Sequence, residues 1–270
     1  MSIEQAEERL KRSAHSLSNE TAKERGDRLP AGKGPSTARQ PVWDPLLRLF
    51  HWLLVAAVFA AVVTGKIGGT SIEWHGRLGV VIAGLLAFRL TWGVIGPSTA
   101  RFASFVRGPQ AIAAYLRGTW HGIGHNPLGA LSVVAMLTAL TLQVGLGLVS
   151  YDEIAFRGPL ARLLPEVWQV RAASWHRPLA WAVVALVLIH VAAILFYRLV
   201  KGEDLVWPMI TGYREGAADR LIADGQAPNW ERRDYWVRGA FALAVGVAVA
   251  VAASGIWLSP PPTAAVAPQW

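Results

Sequence analysis

The chain has no cysteine. That excludes disulfides, thiolate-held iron–sulfur clusters and haem attached through thioethers, so any metal chemistry rests on other side chains. Charge is also scarce, at 16% of 270 residues against about 25% in soluble domains. Acidic residues are the rarer kind, 18 against 26 Lys and Arg, for a net charge of +8 and an isoelectric point near 10.3. In a soluble protein such a surplus points to nucleic acid. Here its placement in loops accounts for it, and no nucleic-acid partner is expected. Apolar side chains dominate instead, at 53% of the chain with a mean hydropathy of +0.34. They are gathered into runs.

Residues 1–45 hold Lys, Arg, Glu, Ser, Gly and Pro with little apolar clustering. They read as a flexible basic cytoplasmic arm, in which Glu4 to Leu17 has the spacing of a short amphipathic helix. No apolar core follows these charges before Leu46, so the arm is not expected to be a signal peptide. Five apolar segments come next: Leu46–Gly65, His75–Ile95, Leu128–Ser150, Ser174–Tyr197 and Val237–Leu258. Each is about 20 residues, enough to cross about 30 Å of hydrocarbon as a helix. Only helices and closed barrels satisfy their own backbone there. The expected fold is therefore an all-α membrane protein: a four-helix bundle over residues 46–212, a linker over 213–236, a fifth transmembrane helix over 237–258 and a tail over 259–270. With the N-terminus in the cytoplasm, twenty Lys and Arg lie inside and six outside (Lys66, Arg77, Arg157, Arg162, Arg171, Arg177). The positive-inside bias then puts the C-terminus in the periplasm.

Four of the seven histidines lie in these segments. His176 and His190 share the fourth helix, fourteen residues apart. That is about 21 Å of rise on nearly one face, one imidazole toward each side of the membrane. Topology puts His75 at the outer level with His176, and His51 at the inner level with His190. Singly, a histidine at a helix end is an ordinary boundary residue. Pairing by depth has no such explanation, and two imidazoles from facing helices are how a bundle holds a b-type haem. Arg89, fourteen residues after His75, is placed to neutralise haem propionates or to act as a positive-inside anchor, and Arg48 lies beside His51. Gly65 at the outer level and Gly79 one turn from His75 permit close approach of a porphyrin or a neighbouring helix, as do Gly145 and Gly147. Pro178 is tolerable only if the fourth helix starts near His176, which makes the outer level the one expected to depart from regular geometry. His125, beside the Asn126-Pro127 helix start, is a boundary residue or one that orients a propionate or quinone. His15 reads as solvated and His121 as a loop residue.

The stretches WDPLLRLFHWLL, EWHGRLGVVIAGLLAFRLTWGVIGP, GHNPLGALSVVAMLTALTLQVGLGLV and HRPLAWAVVALVLIHVAAILF occur in that order, followed by GEDLVWPMITG. From Pro41 to Gly212 the chain resembles the bacterial transmembrane dihaem cytochrome b family, the cytochrome b561 group that includes the b-type cytochrome subunit of nickel-iron hydrogenases. The resemblance implies two haems b, one near each membrane face, with ligands at His51, His75, His176 and His190, the four that depth matching selects. It also implies electron transfer coupled to quinone or to partner cytochromes. The long arm, Pro178 and the fifth helix depart from the minimal family pattern.

The expectation is an inner-membrane electron carrier, at most a quinone oxidoreductase acting with a partner. It would link the quinone pool to a periplasmic-facing dehydrogenase or hydrogenase, or in the other direction pass electrons from quinol to a periplasmic cytochrome c. A haem-free transporter or structural subunit is the reading from a different class. It calls for polar groups at mid-membrane on several helices, whereas the sequence offers chiefly Gln143 and Thr138.

Overall fold

A computed structural model describes residues 39–106, 108–119, 127–154, 156–215 and 233–258. His15, His121 and His125 lie outside the described residues. The first long helix, α1, spans Pro45–Ile67. Asp44 caps it, its carboxylate accepting the Leu47 N–H at 3.0 Å, and Pro45 occupies the first turn, where a missing N–H does no harm. Gly68 and Gly69 end it at φ 65° and 56°, a left-handed region that side chains with a Cβ resist. The chain then turns at once into α2, Ser71–Ile95. Two short helices follow, α3 (Phe102–Phe105) and α4 (Pro109–Leu116), and then α5, Pro127–Val149. A loop with a 3-10 turn at Ala161–Leu163 leads into α6, Glu166–Val200. After it come the short α7 (Val206–Thr211) and the long α8 (Arg233–Ala253).

Five helices, α1, α2, α5, α6 and α8, are long and apolar enough to cross a membrane. This is an all-α membrane protein. α1 packs on α2, α2 on α5 and α5 on α6, while α8 lies along the far side of α2. α1 and α6 touch where Lys66 lies over the Trp181 ring, 3.9 Å from its centroid. Below, "inner" names the end where α1 begins and "outer" the opposite end.

Four boundaries differ from expectation. Within the expected arm, β1 (Arg39–Pro41) pairs antiparallel with β2 (Tyr213–Glu215), Arg39 opposite Glu215. A two-stranded ribbon of this length leaves almost no hydropathy trace. α2 begins at Ser71, one turn before His75, and α8 begins at Arg233 inside the expected linker. α6 begins at Glu166, about 15 Å of helix before His176 at 1.5 Å per residue, so Pro178 is inside the helix. The expectation that the helix starts at His176 is wrong because EVWQVRAA is too polar to read as membrane-spanning. Its polar residues are nonetheless satisfied in a helix. Gln169 is buried, accepts from Arg157 Nε and Nη2 at 3.2 and 3.1 Å and donates to the Leu164 carbonyl at 2.7 Å. An interior Pro costs about 3 kcal/mol in an isolated helix, but packed membrane helices absorb it.

α8 is part of the bundle's packing. Gly84 of α2 and Gly246 of α8 meet backbone to backbone: a Cβ on Gly84 would stand 2.9 Å from the Gly246 carbonyl, and one on Gly246 2.8 Å from that of Gly84. At the inner end Trp92, Tyr235 and Asp44 are completely buried. The Asp44 carboxylate accepts from Tyr235 Oη at 2.9 Å and from Trp92 Nε1 at 3.2 Å. These bonds tie α8 and α2 to the cap of α1.

Candidate functional site

The outer level is assembled from two matching sockets. His75 of α2 points its Nδ1 at the Ala61 carbonyl of α1, 2.8 Å away. Gly65 lies one turn further along α1, and a Cβ there would be 2.9 Å from the same nitrogen. His176 of α6 points its Nδ1 at the Gln143 carbonyl of α5, 2.9 Å away. Gly147 again lies one turn on, where a Cβ would be 2.9 Å from the ring. In each socket a helix carbonyl accepts the Nδ1 proton, and a glycine leaves room for the ring. An imidazole that donates from Nδ1 carries its lone pair on Nε2, the tautomer a metal ligand needs. The two rings stand 5.9 Å apart, centroid to centroid, at 87°. Gln143 also brings its side-chain amide to 3.1 Å from His176 Nε2. The outer level, expected to be the irregular one because of Pro178, has the fuller set of second-shell contacts, and these come from α1 and α5 rather than from α6.

The inner level differs. His51 lies edge-on to Trp52, with ring centroids 5.1 Å apart, and its Nδ1 is buried with no partner among the described residues. His190 on α6 is close enough for the two ring charges to interact. A strap closes this end: Arg48 Nη1 donates to the Ile210 carbonyl and Trp52 Nε1 to that of Met209 at 3.2 Å, while the N–H groups of Val42 and Trp43 donate to the Gly212 carbonyl.

A family model described as prokaryotic cytochrome b561 matches residues 42–212. The chain belongs to that family. It is a membrane b-type cytochrome of electron transfer, and its cofactor is haem b. Among curated relatives, a probable Ni/Fe-hydrogenase B-type cytochrome subunit of Azotobacter vinelandii is 26% identical over 71% of this chain and 97% of that protein. The probable hydrogenase 1 B-type cytochrome subunit of Escherichia coli K12 is 21% identical over 67% of this chain and 93% of its own length. The Cupriavidus necator counterpart is 25% identical over 70% and 92%. No solved structure matches.

The residues of this cytochrome fit a haem on three counts: sockets whose Nδ1 bonds leave the lone pair on Nε2, which at His176 faces the Gln143 amide, a buried His51 nitrogen without a partner among the described residues, and open space where a Cβ on Gly79 or Gly145 would meet nothing. His75 and His176 stand with ring centroids 5.9 Å apart, and His190 is near enough to His51 for their charges to interact. Gly65 serves the outer level by admitting the His75 ring. Arg89 does not join the histidines. It is 3% exposed, donates to the Ala100 carbonyl at 3.2 Å, stacks on Phe102 and faces Asp44. Arg48 is committed to α7, its Nε buried without a partner. Sequence reasoning missed the carbonyls of Ala61 and Gln143, which no side chain advertises, and the Asp44–Trp92–Tyr235 cluster. Only the Asp-Pro start of α1, an N-cap signature, pointed toward that cluster.

Proposed function

We propose that this cytochrome carries electrons across the bacterial inner membrane through two haems b, each held by two histidines. His75 and His176 hold the outer haem, and His51 and His190 the inner. The observation that supports this best is the matched pair of sockets, which orient two imidazoles on different helices toward each other as ligands. Haem iron, when bound, supplies a one-electron couple. The protein fixes the tautomers of His75 and His176, shields His51 Nδ1, and sets the two levels about 21 Å apart along α6. With two imidazoles on each iron no coordination position is left open for oxygen, so the role is transfer rather than catalysis at the metal.

In this reading the N-terminus lies in the cytoplasm and the C-terminus in the periplasm, which the Lys and Arg distribution supports. One face exchanges electrons with the quinone pool, the other with a periplasmic-facing redox protein. The names of the relatives favour a hydrogenase in that place, with a periplasmic cytochrome c as the other candidate. A reduced-minus-oxidised spectrum with haem quantitation tests the reading. Two haems per chain are expected, and His51→Ala or His190→Ala should each lose about half the haem absorbance, because a bis-histidine site fails when either ligand goes. A colourless protein overturns the haem assignment. Retention of both haems in either variant overturns the pairing.

A further inference from the structure

The Asp44 cluster does more than a helix cap requires. A cap needs one carboxylate oxygen, and Oδ1 fills that role by accepting from Leu47 N, Trp92 Nε1 and Tyr235 Oη. Oδ2 is buried and has no partner among the described residues, in a side chain with no exposed surface. The charged and titratable groups around it are few. Arg89 of α2 faces it without a hydrogen bond, Tyr235 of α8 donates to Oδ1, and Arg48 of α1 lies near Tyr235. Asp44 is seven residues before His51, two helical turns on the same face and about 10 Å along the axis.

We propose that Asp44 is a proton-binding site coupled to the electron on the inner haem. The inference rests on the dihaem reading above. With haem bound, Asp44 Oδ2 would take up one proton from inner-side water as the inner site gains one electron from its redox partner, and would release it on reoxidation, so atoms and charge balance. His51 stands about 10 Å from Asp44 along the axis, and a charge at that range in protein interior changes proton affinity roughly tenfold, which corresponds to about 59 mV for a one-electron couple. Burial already holds the Asp44 carboxyl above the usual carboxylate range, so the coupling acts at higher pH than an exposed Asp would reach. The three donors on Oδ1 leave Oδ2 as the atom that takes the proton.

The test is a spectroelectrochemical titration of the purified full chain over a series of pH values. In the unaltered protein one of the two potentials should fall as pH rises across the window and then level off. Asp44→Asn keeps an acceptor for the three donors and removes the charge. Its inner potential should be flat with pH and higher than the unaltered protein's on the alkaline side, with the outer potential unchanged. Two flat potentials in the unaltered protein, or an unchanged slope in Asp44→Asn, overturn the proposal. Should Asp44→Asn fail to load haem, Tyr235→Phe decides. It strips one donor from the carboxylate and must move the window to higher pH, and an unmoved window overturns the proposal. A chain with no Soret band refutes the dihaem reading, whereas two haems with flat potentials refute only the proton coupling.

Discussion

At the outer level both imidazoles give their Nδ1 proton to a helix carbonyl one turn before a glycine. At the inner level His51 has its Nδ1 buried and unmatched. The outer rings are therefore positioned by backbone, the least mobile acceptor available, and on two different helices. The inner level is held from beneath instead, by the strap from α7 to Arg48 and Trp52 and by the Asp44 cluster that fastens α8. One site has its ligands oriented directly. The other has its surroundings fixed and its ligand freer to adjust. Second-shell partners tune ligand basicity and hence potential, so the two levels are expected to differ in potential although both would present two histidines.

The largest effects should come from filling the sockets. Gly65→Leu and Gly147→Leu each put a side chain where even a Cβ would sit 2.9 Å from a ring. Each should lose the outer haem and keep the inner one, read as one haem per chain by quantitation. Loss of the inner haem instead would reverse the comparison. Next, Gly246→Leu strikes the α2–α8 crossing, where overpacking costs about 1–3 kcal/mol. It should lower the Tm in detergent and disturb the inner haem's spectrum before the outer one's. Gln143→Leu keeps the carbonyl and removes the amide beside His176 Nε2. Both haems should be retained with the outer potential shifted, and loss of the outer haem would show that the side chain, not the carbonyl, builds that socket. The smallest effect belongs to Asp204, whose carboxylate accepts from the N–H groups of Trp207 and Val206 at the start of α7. Those bonds hold its pKa below the usual value. A depressed carboxylate stabilises the fold above its unfolded pKa and loses that contribution as pH falls through the folded value. The Tm difference between the unaltered protein and Asp204→Ala should therefore be small at neutral pH and shrink toward zero in acid.

The five spans were readable because they depend on one-dimensional periodicity and length. Depth along a helix maps directly onto residue number, so the closeness of His75 to His176 was expected without tertiary information. What the sequence hid was everything carried by backbone or by distant partners. The Ala61 carbonyl belongs to an unremarked residue, and Tyr235 lies 191 positions from Asp44. Arg89 shows the same limit. Spacing placed it as a propionate partner or a positive-inside anchor, whereas the opposite charge it faces, Asp44, is at the cap of another helix and could not be seen from spacing. The early start of α6 was missed because hydropathy measures compatibility with lipid, while a helix can continue into water once its polar side chains find partners, as Gln169 does.

The Tyr235–Asp44 bond also bears on the order in which the protein can be made. Chains emerge N-terminus first, and all four histidines precede α8 in sequence. Until α8 has been delivered, the cap of α1 lacks its phenol and α2 has a bare glycine seam at Gly84. The fifth helix is thus delivered after every candidate haem ligand has been synthesised.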